Sequence, residues 1–355
     1  DLFFLKNDKS KSIVVTGTNG KSTTCKLLFN LFKKKKINYS LGGNIGTPIL
    51  DLKNSKNSYT IIEASSFQLS HSKFLCPDYA FFLNITNDHL DWHGNMSNYL
   101  NSKLKIFRLQ NKNQIAIINT KLKNIFLKKN FLSKLIISKN QDYKKIKFKN
   151  NYLTSGLNDE NMSFVYTFAK LLKIKESFFV KAMNSFKGLP HRFEIFLKKN
   201  NVTFINDSKA TSFIATKFAL SSLKNIFWIL GGLPKQSDKM KFFKNKKNII
   251  KCYLIGKNIN YFKKQIQGKF FFSITKNLKK SIIQILKDSR FYRDRNISIL
   301  LSPAAAAQTL VEVDNGVDPF VDLDGTTLTL TLGGVSYSAT FDSAVDIANS
   351  TKTVL

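Results

Sequence analysis

The stretch Val14–Thr24, VVTGTNGKSTT, holds residues that can grip a phosphate chain. A loop between a buried strand and a helix presents successive backbone N–H groups, and the helix start, to an anion. Gly17 and Gly20 allow the backbone to come close. Lys21 has the reach for β/γ-phosphates, and the Ser22 hydroxyl suits Mg²⁺. The common template is G-x-x-x-x-G-K-[S/T], whose first glycine would fall at position 15. Val15 stands there, so the loop is a shorter G-x-x-G-K-S. Glu63 closes the apolar run YTIIE, where a second acidic ligand for the metal is expected. NITNDHLDWH places His89 and several carboxylates after another apolar run. Ends of parallel strands gather on one edge of an open α/β sheet, and ligands bind there.

These groups need a sheet and helices to position them. SIVVT, YTIIEAS, YAFFLNIT, QIAIINT and LIIS read as buried strands. The segment from Lys21 reads as a helix with Leu27, Leu28, Leu31 and Phe32 on one face and Lys33–Lys36 at its end, which suits the helix dipole. NYLNSKLKIFRL and two segments near 159–172 and 176–186 also read as helices. After GLPHRF, FEIFLKKNNVTFINDS reads as a hairpin. Helix and strand then alternate through SFIATKFALSSL, IFWILGG, CYLIG, LKKSIIQILKD and ISILLS. TTLTLTLGGVSYSATF alternates with period two about Gly333-Gly334, a hairpin pattern. DLDG lacks the other ligands of a calcium loop. The class is α/β, with expected divisions at 1–188, 189–308 and 309–355.

The 355 residues suffice for two domains. The net charge of +33 accompanies inflated Lys, Asn, Ile and Phe, the mark of an AT-rich genome, so nucleic acid is not an expected partner. Residues 309–355 hold seven acidic residues and one lysine, net −6, which leaves +39 on the first 308. That tail differs in composition from the rest. No apolar run reaches the ~18 residues of a membrane span, and no signal-peptide pattern opens the chain. Three scattered cysteines suggest neither a disulfide framework nor a zinc cluster. A cytoplasmic monomer is expected.

Taken together, TGTNGKST, GGNIGTP, EASSFQLS, LNITNDHLDWH, GLPHRFE, NDSKATSFIAT, GGLPKQSD and LLSPAAAA resemble the Mur ligases, which build the peptide of peptidoglycan. The likeness covers residues 1 to about 308, and the short phosphate loop is that family's form. DSKAT with PHRFE points to the branch adding D-glutamate to UDP-MurNAc-L-alanine, and away from folylpolyglutamate synthase. The resemblance implies a central P-loop ATPase domain with a mostly parallel sheet and a smaller Rossmann-like α/β domain; the acidic, hairpin-like tail is unrelated to it. It implies that ATP phosphorylates the substrate carboxylate and that the D-glutamate amine attacks the acyl phosphate.

The resemblance also assigns roles to matching positions. Gly17, Thr18, Asn19, Gly20, Lys21, Ser22 and Thr23 would hold ATP, with Asn158, Asn161, Arg192 and Asp207 at its adenine, phosphate and ribose. Ser22 and Glu63 would bind one Mg²⁺, and His89, Lys103 and Glu63 a second, with Lys103 carbamylated. Lys21, His89 and Lys103 would be catalytic. Asn44 and Ser65 would contact the muramoyl substrate, and Lys209, Thr211 and Lys235 the D-glutamate carboxylates.

Departures from the pattern are Leu157 before Asn158, Trp92 for a usual Arg, Pro234 and Gln236 around Lys235, and Ala307 and Gln308 where a serine and its neighbours help hold D-glutamate. Set against the resemblance, the family's UDP-binding N-terminal domain is expected to be missing from these 355 residues. Two readings follow: a D-glutamate-adding ligase, or a truncated nucleotide-binding remnant. The 355-residue chain itself is expected to bind ATP·Mg without completing the ligation.

Overall fold

A computed structural model describes residues 1–302, except 7, 8, 54, 155, 200, 211, 235–238, 241–245 and 293, together with the strand backbone of 326–332 and 335–341. The chain divides into two compact units, Asp1–Lys187 and Gly188–Leu355.

The first unit is a six-stranded sheet of β1 (Ser10–Thr16), β2 (Tyr39–Gly43), β3 (Ser58–Glu63), β4 (Tyr79–Phe82), β5 (Ile115–Asn119) and β6 (Lys134–Ser138). The order is β2-β3-β1-β4-β5-β6. Every neighbouring pair is parallel. Its helices are α1 (Leu2–Lys6), α2 (Lys21–Lys35), α3 (Ser66–His71), α4 (Leu90–His93), α5 (Met96–Arg108), α6 (Lys123–Lys128), α7 (Asn140–Lys144), α8 (Asn151–Thr154), α9 (Asp159–Leu171) and α10 (Glu176–Asn184). A parallel sheet is covered on both faces, which is why its strands are continuous apolar runs. Phe81 packs on Phe164 and Phe168 of α9. The next residue, Phe82, faces the other way onto Phe107 of α5. Lys33–Lys35 fill the last turn of α2, which stops at Lys36 in the left-handed region.

The order turns about at β1 and β4, so the loops leaving these two strands run to opposite sides and open a crevice at their carboxyl ends. That crevice is where the phosphate loop lies.

The second unit holds β7 (Glu194–Lys199), β8 (Val202–Asn206), β9 (Ile226–Gly231), β10 (Ile249–Ile255), β11 (Phe272–Lys276) and β12 (Ile297–Leu301) in the order β11-β10-β9-β12-β8-β7. The β7–β8 hairpin is antiparallel and the other pairs are parallel. Phe213 of α11 (Phe213–Ser222) and Phe262 of α12 (Ile259–Ile266) share a core with Trp228, Leu230 and Leu254. Ile282 and Ile285 of α13 (Leu278–Asp288) pack on the opposite face with Phe227, Ile229 and Tyr253. In the tail, β13 (Thr326–Leu332) and β14 (Val335–Phe341) pair antiparallel, with Leu332 opposite Val335. The two glycines of that turn lie outside the described residues.

Two edge strands escape the sequence reading. β2 ends in Gly42 and Gly43, which weaken a strand signal. They are glycines because a Cβ on Gly42 would lie 2.1 Å from the Thr47 carbonyl oxygen, and one on Gly43 2.4 Å from that of Glu63. The other is β11, a short run whose residues are at most half-buried. Among the described residues no helix is long and apolar enough to cross a membrane.

Candidate functional site

β1 delivers the chain to Gly17, and Gly20 (φ 84°) caps α2 with no side-chain cap. A Cβ on Gly20 would sit 2.1 Å from Asn161 Oδ1, so both its φ and its space demand glycine. Asn161 belongs to a buried polar chain. Thr24 Oγ1 donates to its Oδ1 (3.2 Å), its Nδ2 donates to Asn158 Oδ1 (3.2 Å), and Asn158 Nδ2 donates to the Tyr152 carbonyl (2.8 Å). Asn158 and Asn161, expected at adenine, thus brace α9 against α2 and the loop.

The loop is also held from β4. Asn84 Oδ1 accepts from the N–H groups of Thr18 (3.1 Å) and Asn19 (2.9 Å), and Asn84 Nδ2 donates to the Asn19 carbonyl (3.1 Å). The Thr18 hydroxyl pairs with Tyr99 Oη at 3.1 Å and accepts from the Thr86 N–H at 3.0 Å. The N–H groups of Lys21, Ser22 and Thr23 have no carbonyl one turn behind them within the helix, the usual anion-binding end.

Two amines meet at one carbonyl. Lys21 Nζ donates to the carbonyl oxygens of Gly17 and Thr18, both at 3.1 Å. Lys103 Nζ, from α5, donates to Gly17 O at 2.8 Å and lies 4.8 Å from the centre of the Tyr99 ring. Lys103 is only 1% exposed. Burial first, and then the Lys21 ammonium, push its amine down to about 6, with Asp88 pulling the other way. Such an amine is largely uncharged at neutral pH.

Glu63 lies opposite Val15 in the β1–β3 register, one strand from the loop. It is buried; its Oε1 accepts from Asn44 Nδ2 (3.3 Å), and the Asn44 N–H donates to its carbonyl (2.8 Å). Its Oε2 is buried with no hydrogen-bond partner. A bare buried carboxylate oxygen is costly unless a cation completes it. The donor chemistry fits Mg²⁺, a hard ion that takes oxygen ligands. His89 caps α4 in the left-handed region (φ 51°), with Nε2 3.5 Å from Asp88 Oδ2 and its ring against Phe67. Among the described residues no three His, Cys, Asp or Glu side chains gather as a metal site. Mg²⁺ is commonly held by one or two carboxylates, with substrate phosphate oxygens and water completing the set.

Ser65 has a structural duty: it caps α3 in a capping box with Gln68. His93, with no role assigned from sequence, is buried between Ser66 (Nε2–Oγ 3.0 Å) and Ser102 (Nδ1–Oγ 3.4 Å), tying α3 to α5. Asn84 also lacks a role in the sequence reading. Its signal was a polar residue directly after the apolar AFFL, on the edge where the loop lies.

In the second unit, Arg192 and Asp207 flank the start of the β7–β8 hairpin and its end. Asp207 Oδ1 accepts from the Phe193 N–H (2.9 Å), and the Lys209 N–H donates to the His191 carbonyl (3.0 Å). Thr211 and Lys235 lie outside the described residues, as do Ala307 and Gln308. Burial pushes the Asp207 carboxyl up to about 7, against the opposing pull of the Phe193 N–H and Arg192. Between the ordinary aspartate value and pH 7 the unfolded chain has lost this proton while the folded chain keeps it. Stability therefore falls as pH rises through that window, by roughly 4 kcal/mol in full. Asp207→Asn keeps an acceptor for Phe193 and removes the titration. It should stabilise this unit by about 2 kcal/mol at pH 8 and by under about 0.5 kcal/mol at pH 4. Denaturant melts followed by Trp228 in a Trp92→Phe background test this; equal gains at both pH values would refute it.

Residues 15–181 match the family described as the Mur ligase middle domain. The chain is 34% identical to UDP-N-acetylmuramoylalanine–D-glutamate ligase of Rickettsia felis, over 86% of this chain and 73% of that protein. It is 35% identical to the ligase of that name from Buchnera aphidicola subsp. Schizaphis graminum, over the same shares. In fold it is similar to MurF from Acinetobacter baumannii (TM-score 0.65, 14% identity, 85% and 75% of the two chains). It is also similar to MurF ligase from Thermotoga maritima in complex with ADP (TM-score 0.62, 17% identity, 86% and 78%).

Proposed function

Because the chain belongs to the Mur ligase family, we propose that it serves the ATP-dependent ligation of D-glutamate to UDP-MurNAc-L-alanine in peptidoglycan precursor synthesis. The observation that carries this reading is the bare buried oxygen of Glu63, one strand from a glycine-lysine-serine loop. That pairing is what a metal–nucleotide site needs. Bound Mg²⁺ would neutralise charge on the phosphate oxygens during transfer. Glu63 and Ser22 would hold one ion; Glu63, His89 and carbamylated Lys103 would hold a second. Lys21 would sit on the transferred phosphate, with the N–H groups of the first turn of α2 beside it. Asn44, already fixed on Glu63, and Ser65 would orient the muramoyl end. Arg192 and Asp207 would serve the nucleotide, and Lys209, Thr211 and Lys235 the amino acid.

The chemistry balances in two steps. A substrate carboxylate oxygen attacks the γ-phosphorus and ADP leaves. The D-glutamate nitrogen then attacks the acyl carbon, phosphate leaves with the bonding pair, and the amine gives up a proton. Holding the reactants together in a water-poor site supplies much of the acceleration. The protein is read as a cytoplasmic monomer acting on small molecules.

Incubation with ATP, Mg²⁺, UDP-MurNAc-L-alanine and D-glutamate, followed by mass measurement of UDP-MurNAc-L-Ala-D-Glu, tests the reading. ATP·Mg binding without product would favour the nucleotide-binding remnant. Faster use of L-alanine or diaminopimelate would overturn the choice of amino acid. In a chain restored to full length, Lys209→Ala and Lys235→Ala should each raise the KM for D-glutamate about ten- to a hundredfold, the loss of one charge-assisted contact. The KM for ATP should move by less than about threefold. Equal effects on both constants would detach these lysines from D-glutamate.

A further inference from the structure

Glu160 lies in the first turn of α9, beside the phosphate loop's partner Asn84. Its two carboxylate oxygens are divided between residues at the carboxyl ends of two neighbouring strands, Asn84 after β4 and Asn119 at the end of β5. Oε2 accepts from Asn84 Nδ2, and Oε1 accepts from Asn119 Nδ2 at 2.8 Å. Asn119 is itself fixed: its Nδ2 also donates to the Leu83 carbonyl (2.6 Å), and its Oδ1 accepts from the Leu122 N–H (3.1 Å). Asn84 is the residue whose amide pairs with both the N–H and the carbonyl of Asn19 and also takes the Thr18 N–H.

An amide side chain has two flipped states, and only one presents oxygen to the Thr18 and Asn19 N–H groups and nitrogen to the Asn19 carbonyl. A carboxylate at position 160 accepts only, so it selects the state with nitrogen toward itself and oxygen toward the loop. A glutamine there could offer an N–H₂ to Asn84 and favour the opposite flip, which would set donors against the Thr18 and Asn19 N–H groups. Burial raises the Glu160 carboxyl, while the amides of Asn119 and Asn84 and the charge of Lys121 act to keep it ionised.

We propose that Glu160 is a positioning residue for the nucleotide site, which fixes the flip of Asn84 and thereby holds Thr18 and Asn19 so that phosphate binds only at the helix start, Gly20–Thr23. The inference rests on the proposed ATP site and adds how its loop is set before nucleotide arrives.

The test uses MgADP as the probe. Glu160→Gln should weaken MgADP binding about tenfold, the effect of one charge-assisted hydrogen bond. If Glu160 acts through Asn84, the two are coupled, and Glu160→Gln/Asn84→Ala should bind within about twofold of Asn84→Ala alone. Glu160→Gln binding within about twofold of the parent would overturn the proposal, as would full addition of the two losses. Amide hydrogen exchange of the unaltered protein keeps the question open to refutation if Glu160→Gln does not fold. Thr18 is protected in any case by the Asn84 main-chain carbonyl (3.0 Å), so Asn19, held by the Asn84 side chain, is the amide that reports. Without nucleotide, Asn19 should already be protected, and MgADP should add protection only at Gly20–Thr23. An unprotected Asn19 amide would remove the basis for the strut. Failure of the parent to bind MgADP would instead strike the ATP-site reading, while the exchange result without nucleotide would still decide on the strut.

Discussion

Lys21→Ala should lower the affinity for ATP·Mg by at least about a hundredfold, as expected for a lost charged contact to phosphate in a partly desolvated site. The lysine is already folded over the loop, on the carbonyl oxygens of Gly17 and Thr18, so little ordering is needed when phosphate arrives. Lys21→Arg should not restore the affinity, because a planar fork cannot occupy the place of a compact ammonium between two carbonyls. The substitution has a second signature. The Lys21 charge helps hold the Lys103 amine down, so Lys21→Ala should move that amine back toward the ordinary lysine range. Calorimetry of ATP·Mg binding and NMR titration of Lys103 read the two effects separately. Parent-like affinity in Lys21→Ala would mean that the loop is a glycine turn and not a phosphate site.

The loop itself was legible because its demands are local. Gly17, Gly20, Lys21 and Ser22 lie within six residues, and a buried strand before and an amphipathic helix after them are visible in the same window. Glu63 was legible as a strand-end acid, since parallel strands finish on a common edge. Its bare oxygen was not, because hydrogen-bond satisfaction depends on whatever packs around it in space. The same holds for Asn84. The sequence places it after β4, but its partners Asn19 and Glu160 are 65 and 76 residues away. Asn158 and Asn161 were legible only through the resemblance, which marks them as nucleotide contacts; the links of their side chains to Thr24 and Tyr152 depend on packing that no local pattern shows. The edge strands β2 and β11 escaped for want of a pattern, since an edge needs apolar residues on fewer sides.

Lys103 separates binding from turnover. A carbamate forms when an uncharged amine nitrogen attacks CO₂ and releases a proton, so the amine must first be free of its charge. Burial and Lys21 hold Lys103 at about 6, which favours the uncharged amine at neutral pH. Its donation to Gly17 O directs it to the base of the phosphate loop. A carbamate there would supply the oxygen ligands that the described His, Cys, Asp and Glu side chains do not assemble by themselves. In a chain restored to full length, Lys103→Ala should therefore bind MgADP within about tenfold of the parent while losing about a hundred- to a thousandfold in turnover, the scale of one deleted electrostatic group. Lys103→Arg should be no better, because a guanidinium keeps its charge, cannot take up CO₂ and would set a fixed cation against Lys21. In the unaltered protein, ¹³C-labelled bicarbonate should give a carbamate NMR signal that strengthens as pH rises from 6 to 8 and vanishes in Lys103→Ala. That signal does not depend on activity. A parent protein without it, or a Lys103→Arg enzyme with parent-like turnover, would show that Lys103 works as a buried amine and not as a metal ligand.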